Sequence, residues 1–380
     1  MTLLMIMWLA VTAVLALCTA TALVDLRSVR RLPPRTTDPC PTPPRVSIVI
    51  AARNEERRIE ATVRSALGQR DIDAEVIVVD DRSTDRTPEI LNILARDTHT
   101  KILRVDCLPP DWLGKSHACH IGANEAAGEW ILFTDADCLL RGDVVSRALA
   151  VAESEGVDHI TLTPGTVVES LPGAAWHLAF LISVGKWIRR VNQDQEGAHL
   201  GIGAFNLVRA TAYRQCGGYE ALHMTVVDDI RLGLLLRRAG FRTRAFVGGD
   251  DVECHWGGTA RAMFRIVEKN YFALLGYGAL RAAVLGFGGL GVWFMAVTGI
   301  TSMTPAGVLA GMALCSLAYP GAKYARLLGW PSSRAVAVPL IYPFVFLAVL
   351  NSTYQTLRKG GVRWRETFYS LEVLRRDGVC

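Results

Sequence analysis

Two acidic clusters constrain this chain most: Asp80-Asp81 in "VIVVDDRSTDRT" and Asp135-Ala136-Asp137 in "WILFTDADC". Each stands at the end of a short apolar run that reads as a buried strand. Carboxylates left at the carboxyl ends of neighbouring parallel strands share one crevice. Such a crevice suits a nucleotide and the cation that neutralises its phosphates.

The surrounding sequence agrees. "VSIVIAARNEE" reads as a strand over Val46–Ala51 that breaks into a polar turn at Arg53-Asn54-Glu55. Ile59, Val63, Ala66 and Leu67 then recur at helical spacing. Thr87-Pro88 reads as an N-cap followed by proline at the first helical position. Strand–helix alternation predicts an α/β fold, Rossmann-like and built on a mostly parallel sheet. The first turn lacks GxGxxG, which disfavours a dinucleotide-binding dehydrogenase, and the chain has no GxxxxGK[ST] of a P-loop protein.

Composition narrows the function classes. Lys+Arg 41 against Asp+Glu 36 leaves only +5, without a basic run interleaved with aromatics, so nucleic acid is not an expected partner. Nine cysteines are scattered with no CxxC or CxxxC pair. That pattern reads as reduced thiols facing a cytosol, not a disulfide frame or a zinc site.

The apolar fraction of 51% is high, and its excess lies at the two ends. Leu3 to Val24 has the length of a membrane crossing and lacks a basic n-region, so residues 1–25 are read as a retained anchor. Arg27, Arg30, Arg31 and Arg35 follow and place that end in the cytoplasm by the positive-inside rule. Residues 26–45 form a basic, Pro-rich linker, read as a stiff spacer. Residues 46–258 are the expected catalytic domain.

Phe264, Val267, Tyr271 and Phe272 interleave with Arg261, Arg265 and Lys269, the pattern of an interfacial helix in residues 259–281. Three apolar segments follow within 282–356: Ala282–Ile300, Pro305–Pro320 and Ala335–Thr353. With four full crossings the basic tail, 357–380, would end outside, against the charge rule. Pro305–Pro320, short and Gly/Pro-containing, is therefore the segment least fitted to cross. A multi-pass protein of the cell membrane, with its catalytic domain cytoplasmic, is the expectation. The large charged centre and the lack of repeated apolar halves disfavour a transporter.

Taken together, "VSIVIAARNEE", "VIVVDDRSTDRT", "GKSHACHIGANEAAGEWILFTDADC" and "GGYEALHMTVVDDIRLGLLLRRAG" resemble the family-2 glycosyltransferases of GT-A fold. The nearest resemblance is to membrane-bound members grouped with hopanoid-associated and carotenoid-ester enzymes, and it runs from Val46 to Tyr277. It implies a metal-dependent, inverting transfer of one sugar from a nucleotide-sugar, UDP-linked, to a lipid or lipid-linked acceptor at the bilayer.

The resemblance also implies roles. Asp81 would accept the ring N–H of uracil with Asp80 assisting; the plainer reading is that both cap the turn. Ala52, Asn54, Glu55, Lys115, Asp135, Ala136 and Asp137 complete the nucleotide-sugar set. Asp137 would ligate a divalent cation, Mg2+ or Mn2+, with Asp135 and His255 as further candidates. Asp229 is the implied general base, favoured over Asp228, although acidic residues also begin helices for stability alone. Gly203, Phe205, Asn206, Asp228 and Trp256 would frame the donor sugar and acceptor entrance. Arg363-Trp364-Arg365 resembles a tail motif of the family.

His255-Trp256 stands where many relatives carry Arg-Trp, and the full QxxRW pattern of processive synthases is missing. That departure weighs against the rival reading of a polysaccharide synthase. A second rival, an inactive membrane-tethered scaffold, is disfavoured because every acidic motif position is filled.

Overall fold

The computed structural model describes residues 2–34, 43–98, 100–364 and 367–378. Arg35, Cys40, Arg365, Cys380 and most of the Pro-rich stretch lie outside the described residues. In chain order the first elements are α1 (Thr2–Leu26), β1 (Arg45–Ala52), α2 (Ile59–Leu67), β2 (Asp73–Asp81), α3 (Thr87–Asp97) and β3 (Lys101–Val105). Next come α4 (Gly114–Asn124), β4 (Trp130–Asp135), β5 (Cys138–Leu140), α5 (Val144–Glu155), β6 (His159–Thr166) and α6 (Leu171–Asn192). β7 (Asn206–Arg209), α7 (Ala210–Gln215), α8 (Asp228–Arg238) and β8 (Thr243–Cys254) complete the central region. Beyond it lie α9 (Ala260–Ile266), α10 (Tyr271–Leu274), α11 (Ala279–Ser302), α12 (Pro305–Ser316), α13 (Ala318–Leu327) and α14 (Val338–Lys359), then a β-hairpin, Gly361–Trp364 with Thr367–Ser370.

Two compact units emerge. One is made of Arg31–Gly165 and Arg190–His255; the other gathers Met1–Arg30, Thr166–Arg189 and Trp256–Arg376. The first of these units differs from the expected span, 46–258, at three places. It begins near Arg31, ends at His255, and cedes Thr166–Arg189 to the other unit.

The first unit is built on an eight-stranded sheet of order β3-β2-β1-β4-β7-β6-β8-β5. β3, β2, β1 and β4 run parallel, whereas β4–β7, β6–β7 and β5–β8 are antiparallel. The parallel half explains the apolar runs: Val76 to Val79 and Ile131 are wholly buried. Register then sets the crevice. Ala52 lies opposite Asp80 and Ala51 opposite Asp135, so the two acidic clusters flank β1 one strand away on either side. At the usual strand spacing they stand roughly 10 Å apart.

Local details depart from expectation at the start of α3. α3 begins at Thr87 with Arg86 as its N-cap residue, and the Thr87 hydroxyl accepts instead from the Glu55 amide at 2.8 Å. In α8 the buried face is Leu232, Gly233, Leu234 and Leu236; Ile230 and Leu235 are only half-buried.

The first described residues of the linker are not a free spacer. Arg31 bridges to Val247 of β8, and Leu32 is buried. The Arg147 guanidinium pairs with Asp251 at 2.7 Å and donates to the Leu32 and Pro33 carbonyls. A buried guanidinium needs several acceptors, and here the incoming chain supplies two.

The other unit carries four helices long and apolar enough to cross a membrane: Leu3–Leu26, Ala279–Ser302, Pro305–Leu327 and Ser332–Lys359. The third, read as short, continues past a break at Leu317 to Leu327 and reaches 23 residues. Trp8, Val11 and Leu15 of α1 pack on Ala296, Ala306, Ala310 and Leu314. Gly299 and Gly307 let α11 and α12 touch, since a Cβ on Gly299 would lie 2.5 Å from the Gly307 carbonyl oxygen. Leu280, Val284, Phe287, Phe294, Leu340 and Phe344 point outward, as lipid-facing side chains do. The segment read as one interfacial helix is two short ones, α9 and α10, with Val267 and Phe272 buried against protein.

Candidate active site

The turns after β1 and β2 are stapled together by polar groups. Asn54, held at positive φ, donates its amide to the Ser83 hydroxyl (2.9 Å) and accepts from the Thr84 amide through its side chain (2.8 Å). Asn tolerates this left-handed geometry better than most residues. Asn54 and Glu55 therefore shape the crevice by fixing one loop to the other. Ala52 is buried beneath them.

Asp80 caps its turn, as the plainer reading held: one oxygen accepts from the Ser83 amide at 3.2 Å. Its other oxygen is buried without a protein partner. Asp81 is gripped by Arg82, whose Nε and Nη2 approach its two oxygens at 2.7 and 3.1 Å, and Arg53 stands 3.8 Å away. Gly114 sits directly against this group, because a Cβ there would come within 2.3 Å of Asp81 Oδ2. Only glycine allows that approach.

The next residue, Lys115, reaches to the second cluster. Its ammonium lies 2.7 Å from Asp135 and 3.7 Å from Asp228, so helix α4 carries a cation from the Asp81 side to the Asp135 side. Burial opposes the charge, but Asp135, Asp228 and Asp229 outweigh it and hold the lysine pKa well above its ordinary value. Lys115 is thus a permanent cation within the carboxylate set.

Gly203 completes this cluster. Its amide donates to Asp229 Oδ2 at 2.8 Å, and a Cβ on it would lie 2.8 Å from Asp135 Oδ2 and 3.0 Å from Lys115 Nζ. The loop before β7 therefore closes over the carboxylates. Phe205 and Asn206, expected to frame the entrance, are wholly buried. Asn206 accepts from the Ile202 amide and bonds the ring of His159, supporting the loop from behind.

Asp228 and Asp229 open α8 and diverge, as the rotation of about 100° between successive helical residues requires. Asp228 points inward to the Tyr219 hydroxyl at 3.2 Å. Asp229 remains half-buried at the loop, bound to the Gly203 and Ile230 amides. Burial, then the neighbouring Asp228, push its carboxyl up to about 6. That range suits a group that must take up a proton near neutral pH.

At the DXD-type pair, the Ala136 carbonyl accepts from the buried Thr62 hydroxyl at 2.9 Å, fixing the turn. Asp137 Oδ1 faces the thiols of Cys138 and Cys254 at 3.8 and 3.7 Å, while Oδ2 lies 3.8 Å from Arg58. Burial, then Asp135, push the Asp137 carboxyl up. A divalent cation would relieve both effects, and the oxygens of Asp135 and Asp137 are the hard ligands that would hold Mg2+ or Mn2+. His255 does not join that cluster among the described residues; its Nδ1 is buried without a partner. Trp256 belongs to the other unit and packs edge-on against Phe180.

Sequence reasoning missed Arg82, Arg58, Cys138, Cys254 and Tyr219. Arg82 could have been found from its place beside Asp81. Cys254 carried no local signal.

Carboxylates at the ends of parallel strands, joined by a lysine to a helix-borne acid, sit on a sheet of GT-A type. Residues 47–217 match the family model described as Glycosyl transferase family 2, and the chain is a glycosyltransferase carrying a domain of that family. It is 28% identical over 211 residues to 4,4'-diaponeurosporenoate glycosyltransferase of Staphylococcus haemolyticus, spanning 53% of this chain and 54% of that relative. The protein of the same name from Staphylococcus aureus (strain USA300) is 24% identical over 348 residues, covering 86% and 88%. A mannosyltransferase from Pyrobaculum calidifontis, solved with GDP-Man and Mn2+, superposes with a TM-score of 0.59 at 18% identity over 94% of this chain and 99% of that one. The fold expected from the sequence is borne out.

Proposed function

We propose that the enzyme transfers one sugar from a nucleotide-sugar, UDP-linked, to the hydroxyl or carboxyl of a carotenoid- or lipid-type acceptor at the cytoplasmic membrane face. One observation carries this reading. Lys115 of α4, Asp135 of β4, Gly203 of the loop before β7 and the α8 acids Asp228 and Asp229 form one cluster beside Asp81 and Asp137.

Asp137, with Asp135 near the ribose, would hold a divalent cation, which when bound offsets charge growing on the leaving diphosphate. Lys115 adds a fixed positive charge to the same region. Asp229 takes the acceptor proton while the acceptor oxygen attacks the anomeric carbon and the bond to the diphosphate breaks. One base opposite the leaving group gives inversion. Asp81 reads the base edge while Arg82 steadies it.

An acceptor of lipid type is supported by the apolar helices of this chain and by the names of the two staphylococcal relatives. Arg27, Arg30 and Arg31 after α1 support the cytoplasmic face. The test is a donor screen: protein in detergent with UDP-, GDP- and dTDP-sugars, with and without Mn2+ or Mg2+ and a carotenoid carboxylic acid. Cation-dependent release of UDP that rises with acceptor is expected. Ion-independent turnover would remove the role given to Asp137.

A further inference from the structure

Cys138 and Cys254 lie directly opposite each other on the antiparallel pair β5–β8. Both are buried, and both direct sulfur toward the same oxygen of Asp137, at 3.8 and 3.7 Å. The three candidate ligand atoms all fall within 4.8 Å of one another. A tetrahedral zinc ion, with Zn–S of about 2.3 Å and Zn–O of about 2.1 Å, sets its ligand atoms roughly 3.5–3.8 Å apart. The sulfur–oxygen separations already match.

The donor chemistry is selective. A pair of thiols is a poor host for Mg2+ or Mn2+, which favour oxygen, and a good one for thiophilic ions. We propose that Asp137, Cys138 and Cys254 form a binding site for a thiophilic divalent cation, zinc above all, distinct in ligands from the oxygen-only site of the sugar-nucleotide reaction. Binding sends the two thiol protons to solvent and forms two metal–sulfur bonds and one metal–oxygen bond. The fourth position remains open for water or a further oxygen ligand.

A consequence follows that rests on the transferase reading. Asp137 cannot serve both sets at once, so zinc withdraws it from the donor-bound ion and inhibits transfer. Arg58, 3.8 Å from the other Asp137 oxygen, would disfavour a second cation there.

The experiment uses the whole chain in detergent, with no donor present. Titration with Cd2+ is expected to raise a sulfur-to-metal charge-transfer band in the near ultraviolet, saturating at one equivalent, which Zn2+ displaces. Cys138→Ser and Cys254→Ser should each weaken zinc binding, read by competition with a chromophoric chelator, by more than about 10-fold. Cys216→Ser, outside the cluster, should leave it unchanged. X-ray absorption of the zinc-loaded wild type needs no variant: two sulfur neighbours are expected, and a shell of oxygen or nitrogen alone overturns the proposal. A charge-transfer band that survives in the Cys138→Ser/Cys254→Ser protein also overturns it. Because these readouts need no sugar nucleotide, a failed donor screen and a failed zinc site are told apart.

Discussion

Replacing Asp229 by Asn tests the catalytic assignment and its structural cost together. Burial and Asp228 raise the carboxyl from 3.8 to about 6. A shift of that size corresponds to about 3 kcal/mol of native-state penalty at neutral pH. Asn carries no charge, and its carbonyl oxygen can still accept the Gly203 amide now held at 2.8 Å. The lost contact with the Ile230 amide takes back about 1 kcal/mol. Asp229→Asn should therefore be the more stable protein at pH 7 by about 2 kcal/mol.

The sign follows from linkage. Below about 3.8 the carboxyl is protonated in folded and unfolded chains alike, and the penalty vanishes. It grows as pH rises, because the unfolded chain ionises first, and is complete above about 6. Thermal midpoints of both proteins, measured across this window, should place Asp229→Asn slightly below the wild type at its acid end, by the lost Ile230 contact, and above it toward neutrality. Turnover should behave oppositely. Loss of the base should lower kcat by about 100- to 10,000-fold while the nucleotide Kd stays nearly constant. The wild-type kcat should fall as pH drops through about 6. Wild-type kcat in Asp229→Asn would refute the base role, and a midpoint gap independent of pH would refute the electrostatic reasoning.

Asp137→Asn should abolish cation-dependent donor binding, read by Mn2+ paramagnetic resonance with and without UDP-sugar; unchanged Mn2+ uptake would contradict it. Gly203→Ala places a Cβ 2.8 Å from Asp135 Oδ2, so kcat should fall at least about tenfold with the thermal midpoint little changed. Arg147→Ala leaves Asp251 buried without its strongest partner and should cost about 3–5 kcal/mol in denaturant unfolding, with residues near Leu32 exposed to protease.

Much of the catalytic fold could be read along the chain because parallel strands covered on both faces must be continuously apolar. Val76–Val79 and "WILFT" carry that mark, and the acids behind them fall at strand ends by simple adjacency. Asn54 and Glu55 stand in the turn after β1, but their task of binding one loop to another depends on Ser83, Thr84 and Thr87 across the turn. Phe205 and Asn206 misled for a related reason. A sequence motif names the neighbourhood of a loop, while burial decides which of its side chains face inward. In α8 the acids at 228 and 229 were legible, yet only the contacts to Tyr219 and Gly203 separate the inner acid from the outer one.

Local order, apolar length and the residue types of the motifs are properties of consecutive residues, so the sequence alone determined the strands before the motifs, three of the four membrane-length helices and the candidate acids. Proximity between distant residues is another matter. Lys115 meeting Asp135 and Asp228, Arg147 holding the chain at Leu32, and Cys254 arriving opposite Cys138 all depend on strand register and helix docking. Those are set by the summed packing of the whole sheet, and no short window of sequence contains them.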